Sequence, residues 1–263
     1  MKSVKSRKEL RQSSILAALE GNPALRVNQL AEDLSVSTET IRRDLAELDH
    51  LGRLSRTYGG AVSAANRFEP ALNDRLLLKV AERRAIAGHV MELVAGEEAL
   101  LLGGGATMLQ FARALRGIDR RLTVITPTYP VALELAANPL IEIVLLPGTF
   151  EAQERMVCGP ETIRAVERYR APVVLIGASG LNGEGVSEAM LGAGEVYAAM
   201  LRSAERSFIL ADHGKFDKRA LVLLTPWHGA MTLVTDQEPG GVLLAAIRKG
   251  GAALSIPGSA HRP

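Results

Sequence analysis

The sequence predicts an α/β chain in two parts, a small helical module closed by a β-ribbon and then a larger, mostly parallel α/β domain. Three observations carry this. Between residues 27 and 62, two short segments with apolar stripes flank a tight turn and lead into a Gly-bounded ribbon bearing Arg and Tyr. From Leu76 onward, short apolar runs alternate with helical patterns. Between these textures, residues 63–73 are polar and interrupted by Pro70. The expected organisation is a first module over residues 1–62, a linker over 63–75 and a second domain over 76–263.

Composition bounds the function classes. The 263 residues suffice for a small domain plus one of medium size, and 47% hydrophobic content implies a well-buried core. No apolar run reaches the roughly 18–20 residues of a membrane span, and the basic N-terminus lacks the apolar core of a secretory signal. A lone cysteine, Cys158, excludes an internal disulfide, and the scattered histidines show no metal-ligand spacing. A cytoplasmic protein without metal or cofactor is expected. Net charge is only +2, and the first 62 residues, with 10 Lys/Arg against 8 Asp/Glu, carry all of it. Placement of the basic side chains therefore matters more than their number.

In the first module, Ile15, Leu16 and Leu19 form the apolar face of a helix ended by Gly21-Asn22-Pro23. Val27, Leu30, Ala31 and Leu34 follow at i, i+3, i+4, i+7, the stripe of a second short helix. Ser35-Val36-Ser37 breaks that pattern. Ser37 suits an N-cap, since its hydroxyl can accept a backbone N–H of the next turn, and Glu39 suits the positive end of the helix dipole. Thr40 leaves a capping box incomplete. In the third helix Ile41, Leu45 and Leu48 share one side. At about 100° per residue, Arg42 stands about 100° and Arg43 about 200° from Ile41, so Arg43 points away from the core. Thr38 and Thr40 lie at the N-terminal end, the part of a recognition helix that meets base edges. Guanidinium groups bridge guanine or phosphate, and hydroxyls bond phosphate oxygens. Gly52 ends this helix, and Leu54, Arg56 and Tyr58 alternate with Ser55 and Thr57 before Gly59-Gly60, as a ribbon would. An Arg pair on a helix is also what an ordinary solvated face looks like. The ordered combination of cap, Arg pair and basic wing favours a winged helix-turn-helix that contacts DNA through Ser37, Thr38, Thr40, Arg42, Arg43, Arg56 and Tyr58.

In the second domain, strands are expected over 99–102, 122–126, 141–146, 173–176, 207–211 and 231–235. Helices are expected over 79–94, 107–116, 129–137, 160–169, 188–204 and 241–249. Near-continuous apolar strands separated by helices indicate a parallel sheet covered on both faces. Such sheets bind ligands at the carboxyl ends of their strands. Those ends read Gly103-Gly104-Gly105-Ala106-Thr107, Thr126-Pro127-Thr128, Pro147-Gly148-Thr149, Gly177-Ala178-Ser179-Gly180 and Asp212-His213-Gly214-Lys215. Glycine lets backbone N–H groups approach an anion, and a following helix adds its dipole. Gly-rich ends are common simply because the turn is tight, so convergence of five carries the inference. The expected ligand is a small polar anion, a phosphorylated sugar fitting well. Its candidate contacts are Gly103, Gly104, Gly105, Ala106, Thr107, Thr126, Gly148, Ser179, Asp212 and Lys215. Met108 spoils a dinucleotide fingerprint and no Walker A sequence occurs, which disfavours NAD and ATP.

The chain resembles the deoxyribose-operon-repressor (DeoR) family of bacterial transcription regulators over nearly its whole length. The residues carrying the match are Thr40-Ile41-Arg42-Arg43-Asp44-Leu45, Gly52, Leu54, Arg56 and Gly59-Gly60-Ala61, then Phe68, Arg75 and Glu82-Arg83-Arg84-Ala85-Ile86-Ala87. Gly105-Ala106-Thr107, Leu146-Pro147-Gly148, Ile176-Gly177-Ala178-Ser179-Gly180 and Asp212-His213-Gly214-Lys215-Phe216 extend it. The resemblance implies that the helix starting at Ser37 reads double-stranded operator DNA. It also implies a second domain similar to ribose-5-phosphate isomerase that senses a phosphorylated sugar effector. The expected function is then a repressor of a carbohydrate operon, not an enzyme. A homo-oligomer, dimer or tetramer, is expected because one small module makes few phosphate contacts. Tyr58, Gly103, Tyr197 and Thr126-Pro127-Thr128 depart from the family's usual residues: His at the first, an acidic residue at the second, Lys at the third and Thr-Asn-Ser at the last.

The alternative is an isomerase-type enzyme with an accessory helical module, which needs a base and a group stabilising an enediolate. Its available carboxylates are Asp212, Glu188 and Glu195, with Glu188 and Glu195 expected on an amphipathic helix. His213 can serve an effector contact or the loop itself. Trp227 is read as packing, Cys158 as inert, and the segment from Ser255 onward as a fraying tail.

Overall fold

The computed structural model describes residues 7–21, 24–50, 54–57, 60–63 and 72–258, in two compact units, Met1–Glu69 and Pro70–Pro263. In the first unit, α1 (Arg7–Gly21), β1 (Ala24–Arg26), α2 (Val27–Asp33) and α3 (Thr38–His50) precede a hairpin of β2 (Leu54–Thr57) and β3 (Gly60–Ser63). Two turns of helix are too short to persist alone. α2 is held because Val27, Leu30 and Ala31 bury their stripe against Ile15, Ile41, Leu45 and Leu48. The turn into α3 is set by Ser35 in the left-handed region (φ 51°) and by the Val36 N–H returning to the Ala31 carbonyl at 3.0 Å. β1 was not expected. It pairs with β3, Ala24 against Val62, to give a sheet of order β1-β3-β2. Three residues are too few to show a period in sequence. Tyr58 and Gly59, and the side chains of Leu19 and Arg56, lie outside what the structure describes.

The second unit opens with a single helical turn, α4 (Leu72–Arg75), inside the expected linker; Leu72 and Arg75 are both buried. α5 (Val80–Leu93), β4 (Ala99–Leu102), α6 (Ala106–Leu115), β5 (Leu122–Thr126), α7 (Tyr129–Leu135) and β6 (Ile141–Leu145) follow. After the small hairpin of β7 (Thr149–Glu151) and β8 (Met156–Cys158) come α8 (Pro160–Val166) and β9 (Ala171–Ile176). β10 (Gly180–Asn182) and β11 (Gly185–Glu188) lead to α9 (Leu191–Arg202) and β12 (Ala204–Leu210). The chain continues through β13 (Val222–Thr225), β14 (Met231–Val234), α10 (Gly241–Gly250) and β15 (Ala253–Ser255).

Seven strands form one parallel sheet in the order β15-β14-β12-β9-β4-β5-β6. Alternation explains why these strands read as unbroken apolar runs. Leu101, Val174, Ile176 and Ile209 face a core shared with Val196, Met200 and Leu243. Leu100, Leu102, Val173, Leu175 and Phe208 face a second core with Ile86, Val90, Phe111 and Leu135. Both sides are dry, so both registers must be apolar. All six expected strands are present, with boundaries shifted by at most three residues.

Two expectations fail. The helix expected over 188–204 begins only at Leu191. Glu188 instead ends β11, buried, its Oε1 accepting the N–H groups of Ala189 (2.7 Å) and Met190 (3.1 Å). Ser255 does not begin a fraying tail: it ends β15, buried beside Val234, and its hydroxyl meets His89 Nε2 at 2.7 Å. Residues 259–263 of that expected tail lie outside the described residues.

Candidate functional site

The first unit presents one surface of interest. Ser37 caps α3 as its sequence predicts: Oγ accepts the Thr40 N–H at 3.2 Å and lies 2.9 Å from Thr40 Oγ1. Ile41, Leu45 and Leu48 are buried. The Arg43 side chain is 81% exposed and that of Arg42 59%. Among the described residues both guanidinium groups pair loosely with Glu39, at 3.6 Å from Arg43 and 3.9 Å from Arg42. Exposed i,i+3 and i,i+4 pairs of this length contribute tenths of a kcal/mol at about 0.3–0.5 each, so both arginines can exchange Glu39 for phosphate or base. Thr38 and Thr40 are half-buried at the same end, and Arg56 sits on β2 opposite Ala61.

What holds this surface was not visible in the sequence. Asp44, in the middle of the Thr-Ile-Arg-Arg-Asp-Leu string, is buried and accepts two hydrogen bonds from Arg11 of α1, from Nε and from Nη2 (3.2 Å). One turn later Glu47 receives Lys8 at 2.5 Å and Gln12 Nε2 at 3.1 Å. The Lys8 contact holds the Glu47 carboxyl below its ordinary pKa. Arg42 and Arg43 are thus the outward faces of a helix whose inward face is fixed by leucines and whose flank is fixed by charge.

In the second unit the sheet order locates a crevice. From β4 the chain builds outward through β5 and β6, then crosses back to lay β9, β12, β14 and β15 on the other side. The reversal lies between β4 and β9, and such switch points are where α/β sheets bind ligands, at the carboxyl ends. Here those ends are Gly103-Gly104-Gly105 and Gly177-Ala178-Ser179, tied by the Gly103 N–H donating to the Leu175 carbonyl at 2.8 Å. Gly105 is the N-cap of α6 with φ 92°, a left-handed value that favours glycine. It offers no side-chain cap to the first N–H groups of α6, and uncapped N–H groups at a helix start suit an anion. Ala106 and Thr107, both buried, form that first turn.

Other candidate contacts have partners already. Thr126 is buried; its Oγ1 accepts the Thr128 N–H at 3.2 Å and meets Thr128 Oγ1 at 3.1 Å. Ser179 Oγ donates to Glu188 at 3.0 Å. Gly148 answers to packing: a Cβ there would fall 1.9 Å from Thr162 Oγ1. Asp212 caps a 3-10 turn over His213–Lys215, accepting the Gly214 N–H at 3.0 Å. Lys215 lies half-buried in that turn.

Sequence reasoning missed a cationic row across these strand ends. Arg75 is ion-paired with Glu154, and its Nη1 lies 3.5 Å from where a Cβ on Gly105 would stand. Arg83, buried, holds the carbonyls of Arg75 and Leu78 and faces Asp212 Oδ2 at 3.3 Å, not aligned for a hydrogen bond. Lys79, left-handed at φ 50°, places Nζ 2.8 Å from His213 Nε2. His213 Nδ1 lies 2.5 Å from Asp236 Oδ2. An ammonium can only donate, so Nε2 accepts and Nδ1 carries the proton towards Asp236. A signal for Lys79 was absent, but Arg75 and Arg83 stood in the quoted motif without a role. Two departures noted in the sequence, Gly103 and Tyr197, prove to be neighbours: a Cβ on Gly103 would sit 3.2 Å from Tyr197 Cε1.

Glu188, one of the carboxylates available to the enzyme alternative, already accepts the Ser179 hydroxyl and the N–H groups of Ala189 and Met190. Among the described residues no cluster of His, Cys, Asp and Glu suits a metal, and no helix is long and apolar enough to cross a membrane. A depression of about 710 Å³ lined by Glu98, Arg121, Thr123 and Glu142 opens at the amino ends of β5 and β6. That is the end of the sheet opposite the switch point, and two of its lining residues, Glu98 and Glu142, are carboxylates.

Residues 11–67 match the DeoR-like helix-turn-helix domain, and residues 78–237, more than half of the chain, match the DeoR C-terminal sensor domain. The HTH-type transcriptional regulator GolR of Listeria innocua is 28% identical over 94% of this chain and 97% of its own. The transcriptional repressor AccR of Agrobacterium fabrum is 30% identical over 86% and 88%. The glycerol-3-phosphate regulon repressor of Haemophilus influenzae is 27% identical over 90% and 92%. Among solved structures, ribose 5-phosphate isomerase A of Methanocaldococcus jannaschii aligns over 56% of each chain at 17% identity with a TM-score of 0.39. The chain therefore belongs to the DeoR family, as a transcriptional regulator with an N-terminal DNA-binding helix-turn-helix and a C-terminal sensor domain.

Proposed function

We propose that this regulator represses a carbohydrate operon and is released when a phosphorylated sugar occupies the crevice between β4 and β9. Arg42 and Arg43, helped by Ser37, Thr38 and Thr40, meet operator DNA in the major groove, and Arg56 and Tyr58 on the wing meet the backbone beside it. The observation that carries the reading is the exposure of two guanidinium groups on α3, Arg43 opposite its buried face of Ile41, Leu45 and Leu48 and Arg42 flanking it. Two copies act together, since one module with a few phosphate contacts binds weakly at cellular salt. The effector's anion sits at the first turn of α6 beside Arg75, with Gly103–Gly105 allowing the approach. Lys79, Asp212 and Lys215 face its remaining oxygens. Support for a phosphorylated ligand also comes from relatives named for glycerol-3-phosphate and for a lactose phosphotransferase system. An effector that binds one arrangement of the subunits better shifts the population towards it, and so sets whether two recognition helices match the operator spacing.

The test is nuclease protection on DNA flanking the chain's own coding region, with and without phosphorylated sugars. Paired protected sites, released by one of them and lost with Arg43→Ala, are expected. Protection that persists in Arg43→Ala contradicts the assignment of α3, and protection indifferent to every phosphorylated sugar contradicts the effector class.

A further inference from the structure

Tyr197 reaches from α9 to the glycines that follow β4, and its surroundings explain why they are glycines. It is 4% exposed. Its hydroxyl oxygen accepts the Gly104 N–H at 3.0 Å. A Cβ on Gly104 would lie 3.1 Å from that hydroxyl and 2.6 Å from Thr128 Cγ2. A Cβ on Gly103 would lie 3.2 Å from the ring edge and 3.1 Å from Ile176 Cγ2. Ring and glycine backbone therefore fit as a unit, two residues before the open N-terminus of α6.

The oxygen is satisfied as an acceptor, but the proton is poorly placed. Its partner is the thioether of Met156, at 3.7 Å, and a thioether is a weak acceptor. The proton of a buried hydroxyl ordinarily finds an oxygen or nitrogen acceptor. Burial and the nearby carboxylates of Glu188 and Glu154 raise the phenol's pKa far above its ordinary value. It therefore stays a neutral donor at every physiological pH.

We propose that Tyr197 is a specificity-determining residue of the crevice, its O–H turning from Met156 to donate to a neutral hydroxyl or carbonyl oxygen of the ligand whose anionic group lies at α6. This rests on the crevice being the effector site. It adds a distinction between ligands: an anion with a sugar or polyol backbone gains the Tyr197 bond, and a bare anion does not. A purely structural Tyr197, present only to satisfy Gly104, affects both ligands equally.

The experiment is isothermal titration of the full chain and of Tyr197→Phe with inorganic phosphate, glycerol 3-phosphate, D-ribose 5-phosphate and D-glucose 6-phosphate. The expected result is a roughly two- to thirteenfold weakening of the preferred sugar or polyol phosphate in Tyr197→Phe, the size of one neutral hydrogen bond at about 0.5–1.5 kcal/mol, with inorganic phosphate unchanged. Equal weakening of all ligands, or none, overturns the proposal. Met156→Leu removes the competing acceptor while leaving the phenol, and serves if Tyr197→Phe fails to fold. Its affinity for the preferred sugar phosphate is expected to hold or rise relative to inorganic phosphate, and a selective fall overturns the proposal. Should the parent bind inorganic phosphate as well as any sugar phosphate, only this inference falls. Should it bind none of the four, the effector-site reading falls with it.

Discussion

The Arg11–Asp44 clamp separates holding α3 from the DNA contact proposed for it, and Asp44→Ala is the perturbation that shows it. Asp44 is 2% exposed and accepts two bonds from Arg11, whose side chain is 22% exposed. Removing one member of a fully buried pair costs about 3–5 kcal/mol. Arg11 keeps access to water once released, so the expected loss is lower, about 2–3 kcal/mol. For a module of this size, with stability on the order of 0.05–0.15 kcal/mol per residue, that is a large fraction of the total. Hydrogen exchange of the full chain, read by mass spectrometry on peptides spanning α3, measures it directly. Amides that exchange through opening of this module should speed by about 30- to 150-fold. Peptides from the seven-stranded sheet should not change. Unaltered protection over residues 38–50 would refute the clamp and leave the leucine seam as the helix's sole support.

Four further outcomes follow from the same geometry. Ser37→Ala should cost about 1 kcal/mol of stability through loss of the cap. Ser37→Asp should keep the cap yet weaken operator binding by setting a carboxylate towards phosphate, and gel shift together with thermal melting distinguishes the two. Gly148→Ala, with φ 149° and a Cβ that would fall 1.9 Å from Thr162 Oγ1, should destabilise the second unit by about 3 kcal/mol or more through overpacking, read as a lowered denaturant midpoint. Cys158 has its thiol pKa pushed up to about 11 by burial and by Glu151. It should therefore resist alkylation from pH 7 to 9 in the native chain and react readily once unfolded; rapid native labelling at pH 8 would contradict its environment.

The elements whose form is decided locally were legible in the sequence. Ser37 as cap, Ile41, Leu45 and Leu48 as seam and Arg43 as the outward residue all follow from a 3.6-residue period, and the six parallel strands follow from apolar runs between helical patterns. The clamp was not legible, because Arg11 and Asp44 are brought together only when α1 packs beside α3. Nor was the row of Arg75, Lys79 and Arg83, which approach the strand ends from a segment that sequence reading assigned in part to a linker. Glu188 was misplaced because β11 abuts α9 with two residues between them, and buried polar residues flush against a helix blur its start. Gly103 and Tyr197 each stood out as unusual in sequence; only their contact shows that they are one feature.

The most direct measurement is operator affinity of Arg43→Ala beside the parent, by gel shift at fixed salt, with circular dichroism to confirm an unchanged fold. Each lost guanidinium contact to a base is worth about 1–3 kcal/mol, and the two copies proposed above, on paired half-sites, would double it to about 2–6 kcal/mol. At that size the Arg43→Ala chain should weaken by roughly 30-fold or far more, with binding at the proposed effector site unchanged. An equal Kd for parent and variant would contradict the assignment of α3 as the DNA-reading helix.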